Sequence, residues 1–210
     1  MREPTRVCKL CFKELNENDL YHLNGGTNIC LKCLNDLLPR FIRFKVDRYD
    51  AMAIFEYDDK VKSTLYQLKG CFDIEIADIY LDRFKRELRL MYEGYVMVPI
   101  PSYKEDDKVR EFNHVIGMFK ILKLPVAPVI VKTKRVKQAS SNYKLRQTIS
   151  KYLELKGGEQ LKNKKVLLVD DVYTSGATMT SAVHLIETLH PKKMRVLVMS
   201  KTVLKPQNNE

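Results

Sequence analysis

The chain lacks any apolar run approaching the roughly 18 residues of a membrane span, so no membrane insertion is expected. Its amino terminus, Met1-Arg-Glu-Pro-Thr-Arg, has no apolar segment of the kind that directs secretion, and the expected location is therefore the cytoplasm. No internal repeat is visible. Acidic residues are short: 26 against 37 lysines and arginines leave a formal charge of +11, which points to an anionic partner larger than a small phosphate ligand. With 210 residues, 45% of them hydrophobic, the chain suffices for one substantial core and a small additional module.

Cysteine is scarce, but four of the five are paired in sequence. Cys8-Lys-Leu-Cys11 and Cys30-Leu-Lys-Cys33 are two Cys-x-x-Cys units separated by eighteen residues, the spacing of a four-cysteine zinc site. Two residues between thiols form a knuckle that presents both sulfurs to one tetrahedral ion. Asn24 and Gly25-Gly26 supply turn residues for a short ribbon. Disulfides are the competing reading, disfavoured by a reducing compartment. Cys71 has no partner at ligand spacing and reads as a small apolar residue.

The most specific stretch is Val166-Leu-Leu-Val-Asp-Asp-Val-Tyr-Thr-Ser-Gly-Ala-Thr178. Val166 to Val169 have the length and branching of a buried parallel strand. Asp170 and Asp171 follow at the carboxyl end, where open α/β sheets bind ligands. Thr174, Ser175, Gly176, Ala177 and Thr178 then turn into an amphipathic helix whose unpaired N–H groups suit a phosphate monoester. The same residues also compose a plain strand, turn and capped helix. Against that, two adjacent acids in such a turn are unfavourable unless hydroxyls or a cation meet them.

Two further segments carry candidate ligand groups. Val98-Pro-Ile-Pro-Ser-Tyr103 ends a strand with prolines that forbid its continuation. Ser102 follows that turn with a hydroxyl and Arg110, on the following helix, with a cation, although Arg110 serves equally as a surface arginine. His114 reads as a surface or half-buried histidine, since nothing near it in sequence would orient it. Lys132, Lys134, Arg135 and Lys137 open a run without acids that extends to Lys144 and Arg146. It suits a loop over pyrophosphate, a track for a nucleic-acid backbone, or a solvated edge.

The remaining periodicities alternate between strand and helix. Strands are expected over 51–57, 95–101, 127–131, 166–169 and 195–199, and helices over 58–68, 74–91, 108–122, 141–155 and the segment after 178. Residues 39–49 read as a basic and aromatic linker or docking segment. The alternation implies an α/β fold, a parallel sheet with helices on both faces. The expected organisation is a cysteine ribbon and linker over 1–45, a main domain over 46–203 and a polar tail over 204–210.

The thirteen residues from Val166 to Thr178 resemble the phosphoribosyl pyrophosphate (PRPP) motif of type I phosphoribosyltransferases. Together with the amino-terminal cysteines, the Val-Pro-Ile-Pro turn, Arg110-Glu-Phe-Asn-His114 and the basic loop containing Gln138, they resemble the ComF family along essentially the whole chain. The resemblance implies ribose hydroxyls on Asp170 and Asp171, the 5-phosphate on Thr174 to Thr178, pyrophosphate at the loop of Ser102 with Arg110 as a charge partner, Mg2+ accompanying PRPP, and Zn2+ on the four cysteines. It also implies a role in natural transformation, in the uptake and cytoplasmic handling of single-stranded DNA beside a helicase-like partner, ComFA, at the inner face of the membrane. His114 stands where the family carries glutamine. Two alternatives stay open: an active phosphoribosyltransferase with an amine or nucleobase acceptor, and a PRPP-sensing regulator without turnover. Val198 to Thr202 offers no aromatic base-stacking position after the last strand, which counts against a nucleobase acceptor.

Overall fold

The computed structural model describes residues 7–15, 20–22, 28–102, 112–133 and 152–203. At its centre is a five-stranded sheet of β3 (Ile42–Val46), β4 (Tyr49–Glu56), β9 (Lys193–Lys201), β8 (Lys165–Tyr173) and β5 (Tyr95–Pro99), in that spatial order. The pairs β4–β9, β9–β8 and β8–β5 are parallel. β3 is antiparallel to β4 and forms one edge. Beyond β5, Met97 exchanges backbone hydrogen bonds with Pro125 and Ala127, which extends the opposite edge.

Alternation along the strands divides the interior in two. Met52, Ile54, Leu167, Val169, Leu197 and Met199 face a core covered by α2 (Asp59–Gly70), a 3-10 stretch at Ile74–Tyr80, α3 (Lys85–Met91) and α4 (His114–Phe119). Ala53, Val166, Leu168, Val196 and Val198 face a second core closed by Met179, Ala182, Val183 and Ile186 of α5 (Ala177–Glu187). Val166 to Val169 are fully buried, as strands covered on both faces must be. α2 starts where the Asp58 side chain accepts the Val61 N–H at 2.9 Å, and α4 where Asn113 accepts that of Ile116 at 2.9 Å.

The cysteine segment forms a two-stranded antiparallel pair, β1 (Leu20–His22) with β2 (Asn28–Cys30), followed by α1 (Leu31–Asp36). Its buried Ile29, Leu34 and Leu37 belong to the same apolar cluster as α2 and the sheet.

Several expected elements differ. The segment over 39–49 is not a linker: it carries β3, whose Phe44 and Ile42 pack on the second core, and β4 starts at Tyr49. The helix expected over 74–91 breaks into 3-10 turns at Ile74–Tyr80 and Asp82–Phe84 before α3, because tertiary burial on several sides replaces a single amphipathic face. Of the helix expected over 141–155, residues 141–151 lie outside the described residues, and Leu153–Leu155 is a strand, β7, antiparallel to β6 (Ile130–Lys132).

Leu168 is fully buried and lies in register between Val98 of β5 and Val196 of β9. Leu168→Ala should lower unfolding free energy by about 2 to 5 kcal/mol, measured by denaturant titration.

Candidate functional site

β8 does not stop at Val169 but runs through Tyr173, so the two acids lie inside the strand. Successive side chains in a strand leave opposite faces. Asp170 therefore projects on the α5 side and Asp171 on the side of α2 and α4.

Asp171 is buried and well supplied with partners. Its Oδ2 meets His114 Nε2 at 3.1 Å and pairs with Lys69 Nζ, and its Oδ1 accepts the Val172 N–H at 2.7 Å. His114, itself buried, places Nδ1 3.4 Å from Ser102 Oγ. Lys69 arrives from the end of α2 and His114 from the start of α4, so two helices meet at one carboxylate, and Ser102, from the turn after β5, joins behind His114. Ser102 thus reaches the acidic pair through His114.

Asp170 accepts the Asp171 N–H on Oδ1 at 2.9 Å. Burial pushes its carboxyl up to about 7 from the ordinary 3.8, against the pull of Lys69 and then of Lys132. Lys132 is half-buried at the end of β6. Arg110, Lys134, Arg135 and Lys137 lie outside the described residues.

The loop after β8 leaves Thr174 and Ser175 exposed and takes Gly176 to φ +80° before α5 begins. Glycine is favoured there by the positive φ, and a Cβ would press on the Tyr173 hydroxyl, which would have to move aside. Among the described residues no side chain caps α5, which leaves the N–H groups of Ala177 and Thr178 directed at the concavity that Asp170 shares with Thr174 to Met179. Tyr173 is held from behind by Phe44, ring centroids 4.7 Å apart, with Lys201 Nζ 5.9 Å from its own ring.

A second cleft, of about 570 Å³, adjoins this concavity at Val172, which lines both. Its other walls include Tyr57 at the end of β4 and Tyr66, Lys69 and Gly70 of α2. Aromatic side chains therefore do flank the ligand end of the sheet. They come from the end of the first parallel strand and its helix, not from the segment around the end of β9.

The four cysteine sulfurs lie within 4.8 Å of one another, with Cys11 Sγ and Cys30 Sγ 3.9 Å apart. Ligands at about 2.3 Å from one tetrahedral zinc stand about 3.8 Å from each other, so this set fits such an ion. Backbone N–H groups already point at sulfur, Cys30 N to Cys8 Sγ and Cys33 N to Cys30 Sγ, both at 3.3 Å. Burial opposes ionisation of Cys8, but donation from the N–H groups of Cys30, Cys11 and Leu10 outweighs it and draws the thiol down to about 7. Burial, reinforced by the neighbouring sulfurs, raises Cys33. The cluster could hold a metal ion such as zinc. Cys71 is exposed and stands apart from it.

Residues 115–206 match the family model of the phosphoribosyl transferase domain. The chain is similar to that domain over this segment. It is also homologous to proteins named Competence protein ComFC: it is 28% identical over 129 residues to that of Bacillus subtilis (strain 168), covering 60% of this chain and 53% of the relative. To that of Streptococcus pneumoniae (strain ATCC BAA-255 / R6) it is 27% identical over 143 residues, covering 68% and 64%. The chain thus spans between half and two thirds of the length of these curated relatives. Among solved structures, a hypoxanthine phosphoribosyltransferase from Staphylococcus aureus aligns with a TM-score of 0.39 at 15% identity, covering 63% of this chain and 65% of the other. A purine phosphoribosyltransferase from Pyrococcus horikoshii Ot3 aligns with a TM-score of 0.37 at 18% identity, covering 65% and 80%.

Lys69 and the orientation of His114 escaped the sequence reading. Lys69 lies about a hundred residues before the acids and carries no motif of its own, and His114 is oriented by partners distant in sequence.

The raised Asp170 carboxyl has a consequence for pH. The folded chain holds this proton more tightly than the unfolded chain, so the contribution to stability is largest below the ordinary value of 3.8, declines as pH rises toward about 7, and is level above it. Asp170→Asn should flatten that decline and be relatively more stable than the parent above pH 7, as read by thermal melts across the range. For the cysteines, metal analysis should give close to one zinc per chain. Cys8→Ser or Cys33→Ser should lose it together with solubility, because binding free energy at such a site is also folding free energy.

Proposed function

We propose that this chain binds PRPP or a related phosphoribosyl ligand, and acts as a competence protein in the uptake and cytoplasmic handling of single-stranded DNA. The observation that carries the ligand assignment is the uncapped start of α5 behind Gly176, in the same concavity as the Asp170 carboxylate. The first-turn N–H groups of α5 and the Thr174, Ser175 and Thr178 hydroxyls would take the 5-phosphate. Asp170 would accept from the ribose hydroxyls, and Asp171, neutralised by Lys69 and His114, would hold the strand end and its backbone in position. Mg2+, when bound with the ligand, would screen its diphosphate. Ser102, Lys132, Arg110, Lys134, Arg135 and Lys137 would meet that diphosphate, or DNA, an assignment supported by the charge of the basic residues and by sequence position. Zn2+ on Cys8, Cys11, Cys30 and Cys33 completes the amino-terminal module.

The role in transformation is supported by the likeness to ComFC proteins and by the charge of +11. Its partners on this reading are single-stranded DNA and a ComFA-like helicase, which would bring the protein to the inner face of the membrane.

One observation favours a second reading. The cleft of Tyr57, Tyr66 and Val172 adjoins the proposed ribose position and would admit a planar acceptor, as a phosphoribosyltransferase needs. A pyrophosphate-release assay over candidate amines and nucleobases separates the two: release identifies an enzyme, and tight PRPP binding without release identifies a sensor or a structural ligand.

The two acids should behave differently. Asp170→Asn should weaken PRPP binding by about 1.5 to 3 kcal/mol by calorimetry, the contribution of a charged hydrogen bond, and wild-type affinity would show that the motif is only a turn. Asp171→Asn removes the buried charge that pairs with Lys69 Nζ and should lower stability by about 1 to 3 kcal/mol.

DNA binding should fall with salt at a log–log slope of about −0.7 per phosphate neutralised and depend little on sequence. Replacing Lys134, Arg135 and Lys137 by glutamate should weaken it, and transformation with it, without changing the zinc content. If PRPP binding is lost and DNA affinity kept, the basic run serves only the diphosphate.

A further inference from the structure

Arg195 occupies a position at which a cation needs explaining. It lies on the core side of β9, a strand with neighbours on both edges, in register with fully buried Leu167 of β8. Charged residues are rarely placed so unless paired. Arg195 Nε is buried and has no hydrogen-bond partner among the described residues. A guanidinium N–H hidden from water and left without an acceptor is costly, and the cost is recovered when an acceptor arrives.

The space beside it can admit one. Arg195 lines a cleft of about 450 Å³ whose walls include Arg43, Asp50, Met91 and Tyr92. The Arg195 charge is felt by Asp50, Tyr92 and Tyr95, which locates the guanidinium among them. Asp50 is the acid in this cleft, but it is exposed and turned to Lys45, with Nζ to Oδ1 at 3.1 Å. Lys193 also acts on Asp50. Arg43, Lys45, Lys193 and Arg195 therefore surround a single carboxylate that already has a partner, and the cleft keeps a surplus of positive charge.

This cleft is separate from the concavity of Asp170. Arg195 pairs with Leu167, three residues before Asp170, so it lies about 10 Å back along the strands, toward the end of the sheet opposite the acidic pair. It also opens on the α3 side of the sheet, whereas the phosphate loop leads into α5.

We propose that the cleft of Arg195 and Arg43 is a second anion site, and that it takes the phosphate monoester of a nucleotide. Two guanidinium groups match the forked geometry of phosphate oxygens better than any carboxylate within reach. Tyr92 and Met91 give the organic part of the ligand an aromatic and apolar wall beside that charge. The unpartnered Nε is the donor that the ligand would satisfy.

The test uses the full chain carrying Ser175→Glu, which places a carboxylate in the α5 loop and removes phosphate binding there, so that the second site is read alone. Inorganic phosphate and thymidine monophosphate are titrated while the arginine Nε–H resonances are followed by 1H–15N NMR, with affinity from calorimetry. The expected result is a saturable shift of the Arg195 Nε–H signal, with thymidine monophosphate tighter than inorganic phosphate. Arg195→Met should abolish that binding and Arg195→Lys should not restore it, while Arg43→Gln, on the exposed strand, should weaken it by about tenfold or more. Phosphate-free Arg195→Met should melt no lower than its parent, since it loses an unsatisfied charge. An Arg195 resonance that ignores both ligands overturns the proposal. Equal affinity for phosphate and nucleotide overturns the nucleotide assignment, as does binding seen only with an oligothymidylate. Loss of PRPP binding in Ser175→Glu with the Arg195 shift intact separates this site from the proposed phosphoribosyl site.

Discussion

The ligand end of this protein is organised by the need to neutralise one buried carboxylate. Asp171 faces the main core, where an uncompensated charge would cost several kcal/mol; Lys69 supplies the opposite charge and His114 a hydrogen-bonding partner, from two different helices. Because Ser102 reaches His114 in turn, the ends of α2, α4 and β5 are fixed relative to β8 by one set of polar contacts. Everything assigned to the ligand hangs from that arrangement: Asp170 is the next residue along the strand, and the α5 loop follows three residues later. The acidic pair thus divides its labour by strand alternation, one member holding the scaffold and the other presented on the opposite face.

The cysteine module is joined to this scaffold, not appended to it. Ile29, Leu34 and Leu37 bury against the cluster that covers the sheet, and Lys9 bridges to Glu75 at 2.8 Å. A segment of this length has too little apolar surface to fold alone. Packing against α2 and a metal held by four sulfurs would each make up part of the deficit. The sulfur geometry and the surrounding core therefore constrain one another.

Much of this was legible in the sequence because the informative signals are local. Four consecutive apolar residues followed by two acids and a glycine turn specify a buried strand, a ligand edge and a helix start without reference to anything distant. The cysteine pairs are equally local, since a knuckle is a matter of two intervening residues. What sequence could not show was set by long-range contact. His114 looked unoriented because its partners are Ser102 and Asp171, and Lys69 had no signature at all. Residues 39–49 looked like a linker because an edge strand with one solvated side, Arg43 and Lys45 alternating with Phe44 and Val46, shares its composition with a basic connecting segment. The break of 74–91 into 3-10 turns reflects burial on several sides, which hydrophobic periodicity does not register.

The order of strands in the sheet has a consequence for how the chain is made. β4, complete by residue 56, lies beside β9, which starts at residue 193. During synthesis the amino-terminal third leaves the ribosome with Ala51 to Phe55 lacking the neighbour that will cover one edge, and it must wait for nearly the last residues of the described fold. Pairings of such long separation close slowly and leave apolar strands open to wrong partners in the interval. β3 is made at once, folds back antiparallel on β4 and shields its other edge, so half of the hazard is removed early by the segment that in sequence resembled a mere connection. The nascent protein would then depend on its four-cysteine segment and this hairpin for early order, and truncation near the carboxyl end would be felt first in the strand made earliest.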